Sequence, residues 1–457
     1  MKKIIIVIIF ITALCSYVYA DKSYSHETDE PKCEEKDESQ KLGLEIINFA
    51  EDSNLKKVGA QTGDIIIRYN NVKVECINHL GELKEAASTP NVEVVFKRND
   101  EEISVTIPKG KIGVYLQEVV PEHKIDEDAV IIKNIGKLGW NLNMDNSFLG
   151  TVFRIEEKFD QQTSYEDIMG LSGYAFRLQF FDEWCPSSPD ATCGKDLGSE
   201  ILTKLGYTFE VYNGQCPFPS EELAKSAKTD DEIRQIMMKS IDSGWPVIAI
   251  DLIQVPEWSI VTGYQKDGKE FFCRTYFDKT KGYEIAQKTP WVIFVITDKK
   301  DVDIFPEYDN SLLLAKELYQ TEKYDNYFSG IKAIEEWIKA LNDEKHFEEL
   351  DDAQFDETVL ANWWIYYSLI SARNYAKKYL LNNLDKFDYD EELLNELAKI
   401  YENETEILQN GLQNVPSAQN VKSRSDWNKE MRENQTKFLE EFLEIEKNAN
   451  NILNKIK

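Results

Sequence analysis

The chain has 457 residues, of which 42% are hydrophobic and 30% are charged, a balance that is ordinary for folded proteins. At about 100–200 residues per domain, this length predicts about three domains. The formal net charge of −29 argues against nucleic acid and anionic lipid as partners, because both would be repelled. The chain has only four histidines, and its cysteines lack the paired spacing of zinc sites, so we expect neither a metal nor another cofactor.

The first twenty residues have the pattern of an export signal. Two lysines precede an apolar run over Ile4–Leu14, and Ala20 provides the small residue typical of a cleavage site. We therefore expect a cleaved signal peptide over 1–20 and a periplasmic or extracellular protein. The alternatives are a lipoprotein anchored through Cys15 and an uncleaved membrane anchor, although the apolar run is shorter than the ~20 residues that span a bilayer.

A β-rich domain is predicted after an acidic stretch over 21–40, which has too little apolar content to fold alone and is expected to be a linker. Val58–Asn71 reads VGAQTGDIIIRYNN, with glycines that permit a turn, a β-branched run that favours a buried strand, and asparagines that end it. A helical pattern over Asn78–Ala87 and two strand patterns, Val92–Phe96 and Ile103–Ile107, follow.

In this order the elements resemble a bacterial PDZ domain, and the resemblance covers residues 41–118. PDZ domains bind the C-terminus of a partner protein, usually by adding it as a strand to an open sheet edge. Backbone N–H groups in a loop with a central glycine hold the terminal carboxylate. The residues that the resemblance implies for this binding are Lys41, Leu42, Gly43, Leu44 and Ile46 on the loop and strand, and Ile77, Leu80 and Gly81 on the helix.

The remainder of the chain predicts an α+β domain over 130–300 and a helical domain over 305–457. In the first of these, helical patterns precede strand patterns, and the second is expected to contain about five helices. The predicted helices of the α+β domain are Ser147–Phe159, Ser199–Leu205 and Asp230–Ile241, and its predicted strands are Pro246–Leu252, Ser259–Tyr264, Glu270–Tyr276 and Trp291–Ile296. The predicted fold class is therefore multidomain, with β-rich, α+β and α-helical parts.

Three segments of the α+β domain, Ser164–Leu178, Ser240–Leu252 and Pro256–Tyr264, resemble a papain-like fold. They are similar to bacteriocin-processing cysteine peptidases and, more closely, to the N-terminal domain of the butirosin-biosynthesis acyltransferases. In those families a cysteine at the start of the first helix is the nucleophile, and a histidine at the start of a strand ending in Gly-Tyr is the base. The helical C-terminal part is similar to the helical tail of the butirosin-type proteins, so the two parts are expected to form one folded unit.

This sequence departs from that pattern at both catalytic positions, since Ser147 opens the helix and Glu257 stands in the place of the histidine. A carboxylate with a pKa near 4 is a poor base for serine, so this pair would need a raised pKa at Glu257. Cys185 is another candidate nucleophile, but its loop offers no base. The expected alternatives are a disulfide with Cys193 and isolated, partly buried thiols. The preferred interpretation is a papain-like domain without catalytic activity.

Two functions follow from these resemblances. The first is an exported protein whose PDZ domain binds the C-terminal peptide of an envelope or secreted protein, with the papain-like part as a pseudoenzyme. The second is a thiol-dependent hydrolase or acyltransferase that uses its PDZ domain to select substrates. A further possibility is that the chain itself fills the PDZ groove.

Overall fold

A computed structural model describes residues 43–456 except 51, 100, 111, 121, 160–162 and 217–224. The predicted signal peptide, Cys15, the acidic linker and the loop residues Lys41 and Leu42 lie outside this range. The described chain is a mixed α/β protein with several antiparallel sheets and a mainly helical C-terminal region. Among its described helices, none has both the length and the apolar character that crossing a bilayer requires.

The secondary structure follows the predicted patterns closely in most places. The α-helices are α1 (Asn54–Lys57), α2 (Ile77–Ala86), α3 (Ser147–Lys158), α4 (Tyr165–Leu171), α5 (Leu197–Lys204), α6 (Asp230–Asp242), α7 (Phe305–Gln320), α8 (Gly330–Leu341), α9 (Glu344–Glu349), α10 (Asp352–Asn382), α11 (Glu391–Gly411) and α12 (Lys429–Leu453). The strands are β1 (Gly43–Phe49), β2 (Ile65–Tyr69), β3 (Val72–Lys73), β4 (Asn91–Arg98), β5 (Glu101–Pro108), β6 (Val114–Val119), β7 (Val130–Ile131), β8 (Gln179–Phe180), β9 (Tyr207–Asn213), β10 (Val247–Ile250), β11 (Trp258–Gln265), β12 (Glu270–Arg274), β13 (Glu284–Ile285), β14 (Val292–Lys299), β15 (Lys323–Tyr324) and β16 (Tyr327–Ser329).

The N-terminal region folds around a sheet with the strand order β5-β4-β2-β1-β6, and β3 pairs with β2. The turn before β2 delivers Asp64 to a buried position, where it is 1% exposed. Arg98 donates two hydrogen bonds of 2.7 Å to this carboxylate, and the N–H of Gln61 donates a third at 2.7 Å. Asp64 therefore ties the glycine turn to the end of β4 by charge-assisted hydrogen bonds, which are about twice as strong as neutral ones.

The open sheet edge lies on a different strand from the one predicted. β1 pairs with β2 on one side, where Leu44 faces Ile66, and with β6 on the other, where Ile46 faces Leu116. Leu44 and Ile46 are completely buried. The prediction that a peptide adds beside Ile46 is therefore wrong, because β6 already occupies that position.

The middle region contains a sheet with the strand order β13-β12-β11-β10-β14-β9, to which β7 adds by pairing with β11. Alternate residues of β10 face opposite sides, as in any strand. Ile248 packs with Phe148 of α3 and with α4 and α5, while Val247 packs with Ile233 of α6. Helices thus cover both faces. The predicted order of helices before strands fails at β9, which lies between α5 and α6 in sequence and pairs with β14.

The C-terminal region consists mainly of α7 to α12, one α-helix more among the described residues than the number expected. Its core is continuous with that of the middle region, because Phe148 and Ile168 belong to one buried cluster with Leu312, Tyr379 and Leu453. The hairpin of β15 and β16 also pairs with β8 of the middle region. The middle and C-terminal regions therefore form one folded unit, as expected from the sequence.

The helices of this unit are joined by a buried charge cluster. Arg373 on α10 is 1% exposed and lies 2.9 Å from Glu404 on α11. It also contacts Glu446 on α12 and donates a hydrogen bond of 2.9 Å to the carbonyl of Ala175 in the middle region. Burial is the main cause that raises the pKa of Glu404 well above its usual range, and the nearby Glu446 raises it further. One cation therefore holds two carboxyl groups in the core.

Candidate functional site

The first candidate site lies at the N-terminus of α3. Asn146 caps this helix, since its side-chain oxygen accepts the N–H of Leu149 at 3.0 Å. Its backbone is fixed by two buried tyrosines: Tyr165 accepts the Asn146 N–H at 3.2 Å, and the Tyr276 hydroxyl lies 3.3 Å from the Asn146 carbonyl. Ser147 is consequently the first helical residue, and its position is set by a rigid, capped turn.

The fold brings Ser147 and Glu257 together, although they are distant in sequence. Glu257 immediately precedes β11, which packs against α3. The backbone N–H of Trp258 donates to the Ser147 hydroxyl at 3.4 Å, and the Ser147 hydroxyl lies close enough to the Glu257 carboxyl group to lower its pKa. Both residues are half-buried. The two positions that the papain-like resemblance singled out are therefore adjacent in space.

Burial is the main cause that raises the pKa of Glu257 to about 7. The Ser147 hydroxyl lowers this pKa, and the charge of Asp190 raises it. Asp190 is itself firmly held: it accepts the indole N–H of Trp258 at 2.7 Å and the N–H and hydroxyl of Thr192 at 2.7 Å each. Part of the Glu257 residue reaches solvent, but its carboxyl group is desolvated. This carboxyl group consequently has the raised pKa that a base for serine requires.

Helix α10 of the C-terminal region contacts the segment just before Ser147. The hydroxyl of Ser371 donates to Asp145 at 2.5 Å, and the hydroxyl of Tyr375 donates to the carbonyl of Asn143 at 2.5 Å. Between α10 and the loop before α5 lies a cavity of about 20 Å³, with Tyr174 and Ser368 in its lining. That volume suits about one water molecule. The C-terminal region thus helps to position the residues that precede Ser147.

The two cysteines proposed as a disulfide do not form one. Cys185 is disulfide-bonded, whereas Cys193 is a free, buried thiol, so the predicted pair is wrong. The short separation of Cys185 and Cys193 in the sequence thus did not predict whether they form a disulfide with each other. Burial raises the pKa of Cys193 well above its usual range. Neither sulfur suits nucleophilic catalysis, because a disulfide carries no thiolate and a thiol with a raised pKa rarely ionises.

The second candidate site is the outer edge of β6, which among the described strands pairs only with β1. The N–H of Ala50 donates to the carbonyl of Gly113 at 3.0 Å, which makes Phe49 and Val114 a non-hydrogen-bonded pair. In an antiparallel ladder the backbone groups of such a residue point away from the neighbouring strand. Val114 and, by alternation, Leu116 therefore present N–H and C=O groups to the open edge.

The turn before β6 directs one further N–H group, that of Gly113, to the same edge. The carbonyl of Ile112 accepts from Leu55 at 3.3 Å, and that of Gly113 accepts from Ala50. In a trans peptide the following N–H points opposite to the carbonyl, so the N–H groups of Gly113 and Val114 face the open edge. Gly113 has φ of +75°, and a β-carbon there would lie 2.5 Å from the Cα of Ser53. Such converging amides suit an anion.

Helix α2 runs along the open edge of β6. The N–H of Ile77 donates to the carboxylate of Glu118 at 3.4 Å, which places the start of α2 beside the strand. Ile77 is 46% exposed, and one turn later a β-carbon at Gly81 would meet nothing within 4 Å. Leu80, in contrast, is 3% exposed and belongs to the core. Of the predicted helix residues, Ile77 and Gly81 therefore border the groove between α2 and β6.

The turn that leads into this open edge is Ile112-Gly113-Val114, which the sequence interpretation overlooked. Gly43, the predicted loop glycine, starts the interior strand β1, and its position would bring a β-carbon 2.4 Å from the carbonyl oxygen of Ile66. A signal was present in the sequence, since Ile112-Gly113-Val114 is a second apolar-Gly-apolar triplet directly before a strand pattern. The local pattern alone does not distinguish the two triplets.

Comparisons with known proteins add no family assignment, since neither a family model nor a curated protein matches the chain. Within the described part of the chain, no three histidine, cysteine, aspartate or glutamate residues are grouped so that they could hold a metal ion. Function is therefore argued from the geometry of the two candidate sites.

Proposed function

We propose that the N-terminal region is a PDZ-type domain that captures the C-terminal peptide of another protein. The observation that carries this proposal is the open edge of β6, with α2 beside it and the Gly113 turn at its start. The peptide adds as a strand antiparallel to β6 and pairs with Val114 and Leu116, which is β-augmentation. Its carboxylate accepts the N–H groups of Gly113 and Val114.

The walls of the groove favour an apolar residue at the end of the peptide. Ile77 exposes apolar surface beside the strand, and the missing side chain at Gly81 leaves a gap in the facing wall. Filling that gap with an aliphatic side chain removes apolar surface from water, at about 25 cal/mol per Å². We therefore expect peptides that end in Val, Leu, Ile or Ala to bind most tightly.

The proposal extends to the remaining regions and to the location. We propose a papain-like domain over 130–300, supported by the meeting of Ser147 and Glu257 at the places of the family's nucleophile and base. Export follows from the sequence of residues 1–20, and the disulfide-bonded state of Cys76 and Cys185 supports an oxidising compartment. The partner would then be an envelope or secreted protein.

Fluorescence anisotropy with labelled peptides tests the peptide-binding proposal. Peptides with a free carboxylate should bind, and the same peptides with a C-terminal amide should bind at least tenfold more weakly. Ile77→Lys should weaken binding by a similar factor. Val72→Lys is the matched control, because Val72 is 44% exposed and lies on β3, away from β6. Equal binding of acid and amide peptides would contradict the proposed carboxylate loop.

A further inference from the structure

The cavity between α10 and the loop before α5 is lined by a buried cation. Arg177 is 5% exposed and lines this cavity together with Ser368 of α10. Its Nη1 and Nη2 atoms donate hydrogen bonds of 2.7 to 3.4 Å to four backbone carbonyls of the loop, those of Pro189, Asp190, Cys193 and Lys195. The loop is therefore folded around the guanidinium group.

The remaining nitrogen of this guanidinium group faces the cavity. The Nε–H of Arg177 has no acceptor among the described residues, yet this nitrogen is not one of the fully enclosed polar atoms. Since the side chain is otherwise buried, the accessible space that Nε reaches is the cavity that Arg177 lines. One donor of a buried cation is thus left for an occupant of the cavity.

The charge of Arg177 has no direct counterion among the residues that the structure describes, because its polar partners there are the four carbonyls. Asp190, in the same loop, turns its carboxylate elsewhere. That carboxylate accepts the indole N–H of Trp258 and the N–H and hydroxyl of Thr192, each at 2.7 Å. Burying an ionised group without a counterion is unfavourable, so an anion in the cavity would stabilise the fold.

We propose that this cavity binds a halide ion, chloride in the first place, with Arg177 and Ser368 as its hydrogen-bond donors. Its volume of about 20 Å³ admits one occupant of about the size of a water molecule, which excludes phosphate and organic carboxylates. The hydroxyl of Ser368 can rotate to donate beside the Nε–H. Apolar side chains form much of the wall and strengthen the attraction between the charges; they are Leu178, Ile365, Leu369 and Ala372.

Water is the alternative occupant, and Gln179 in the wall bears on the choice. Its Nε2 donates to the carbonyls of Ser188 and Cys193 at 2.7 and 3.1 Å, which leaves Oε1 without a partner. Such an oxygen would favour a donor such as water over an anion. It is fully enclosed, however, and lies where a β-carbon at Gly194 would be 2.6 Å away. Unlike the Nε–H, it does not reach the cavity.

Thermal unfolding of the full chain in chloride and in gluconate, at the same ionic strength, tests this proposal. Gluconate is too large for the cavity, so the midpoint should be higher in chloride by about 3 °C at about 150 mM salt. Ala372→Leu fills the cavity and should abolish this difference, and Ser368→Ala should reduce it. Ser371→Ala is the matched control and should keep it, because that hydroxyl donates to Asp145 instead. Each variant is compared with itself, so a general loss of stability does not affect the result.

Bromide in place of chloride locates the ion directly. Crystals of the full chain grown in bromide should show an anomalous peak within hydrogen-bond distance of Nε of Arg177. Equal midpoints in chloride and gluconate would overturn the proposal, as would an ordered water at this place without a bromide peak. A chloride effect that survives unchanged in Ala372→Leu would also overturn it. None of these measurements concerns β6, so the peptide-binding proposal is tested separately.

Discussion

The Glu257→Gln variant should be more stable than the natural protein at pH 8, and nearly equal to it in acid. Glutamine has the shape of the protonated carboxyl group but cannot ionise. The folded-state pKa of about 7 lies above the ordinary value of 4.5. A raised pKa in an acid means that its protonated form stabilises the fold, and this contribution is complete below pH 4.5 and lost as the pH rises through 7.

The magnitude follows from the difference between the two pKa values. A difference of about 2.5 units, at 1.36 kcal/mol per unit, gives roughly 3 kcal/mol that the natural protein loses by pH 8. The advantage of Glu257→Gln should therefore be below about 1 kcal/mol at pH 5 and about 3 kcal/mol at pH 8. Most of the change should occur between pH 4.5 and 7.

Urea unfolding followed by tryptophan fluorescence measures this difference, because Trp258 lies next to Glu257 and reports on the same packing. The two proteins should be compared over a pH series, with Glu183→Gln as a control that shows no pH-dependent difference. An advantage of Glu257→Gln that is constant across the series would refute the reasoning. It would mean that Glu257 titrates normally and is solvated.

Three other changes test separate parts of the structure. Gly113→Ala should destabilise the N-terminal region by roughly 1–3 kcal/mol, because its positive φ and close packing exclude a β-carbon, and thermal unfolding would measure the loss. Arg373→Met should cost about 3–5 kcal/mol at pH 7 by leaving Glu404 and Glu446 buried without a cation, and thermal unfolding would measure this loss as well. Cys193 should react with a thiol reagent only after unfolding, since it is buried and free, and rapid reaction in the native protein would contradict the structure.

Elements with a strong local pattern were predictable from the sequence. The helix that begins at Ser147 has a capping asparagine and regular apolar spacing, both of which act within a few residues. The strands β10 and β14 consist of β-branched runs that fit a buried sheet. In each case the information lies in neighbouring residues, so the boundaries agree with the structure to within a few positions.

Features that depend on distant pairing were not predictable in the same way. Leu42-Gly43-Leu44 and Ile112-Gly113-Val114 have the same local character, and only the pairing of β1 with β6 decides which strand is at the edge. The meeting of Ser147 and Glu257 was suggested by a resemblance. The raised pKa of Glu257 was not, because it arises from burial and from Asp190, which reaches the site through the fold.

The direction in which a peptide would lie on β6 leads from the N-terminal region of the chain toward the region that contains the first candidate site, Ser147 and Glu257. A chain whose carboxylate sits at Gly113 runs antiparallel to β6, and its earlier residues therefore point toward Val120. There the outward N–H is already taken, because Val120 donates to the carbonyl of Lys279 in the middle region at 3.3 Å, and Gln117 contacts the carbonyl of Asp278. Backbone pairing between the peptide and β6 must therefore end at Val120. The remainder of a captured protein would thus leave the groove along the surface of the middle region, which belongs to the unit that contains Ser147 and Glu257.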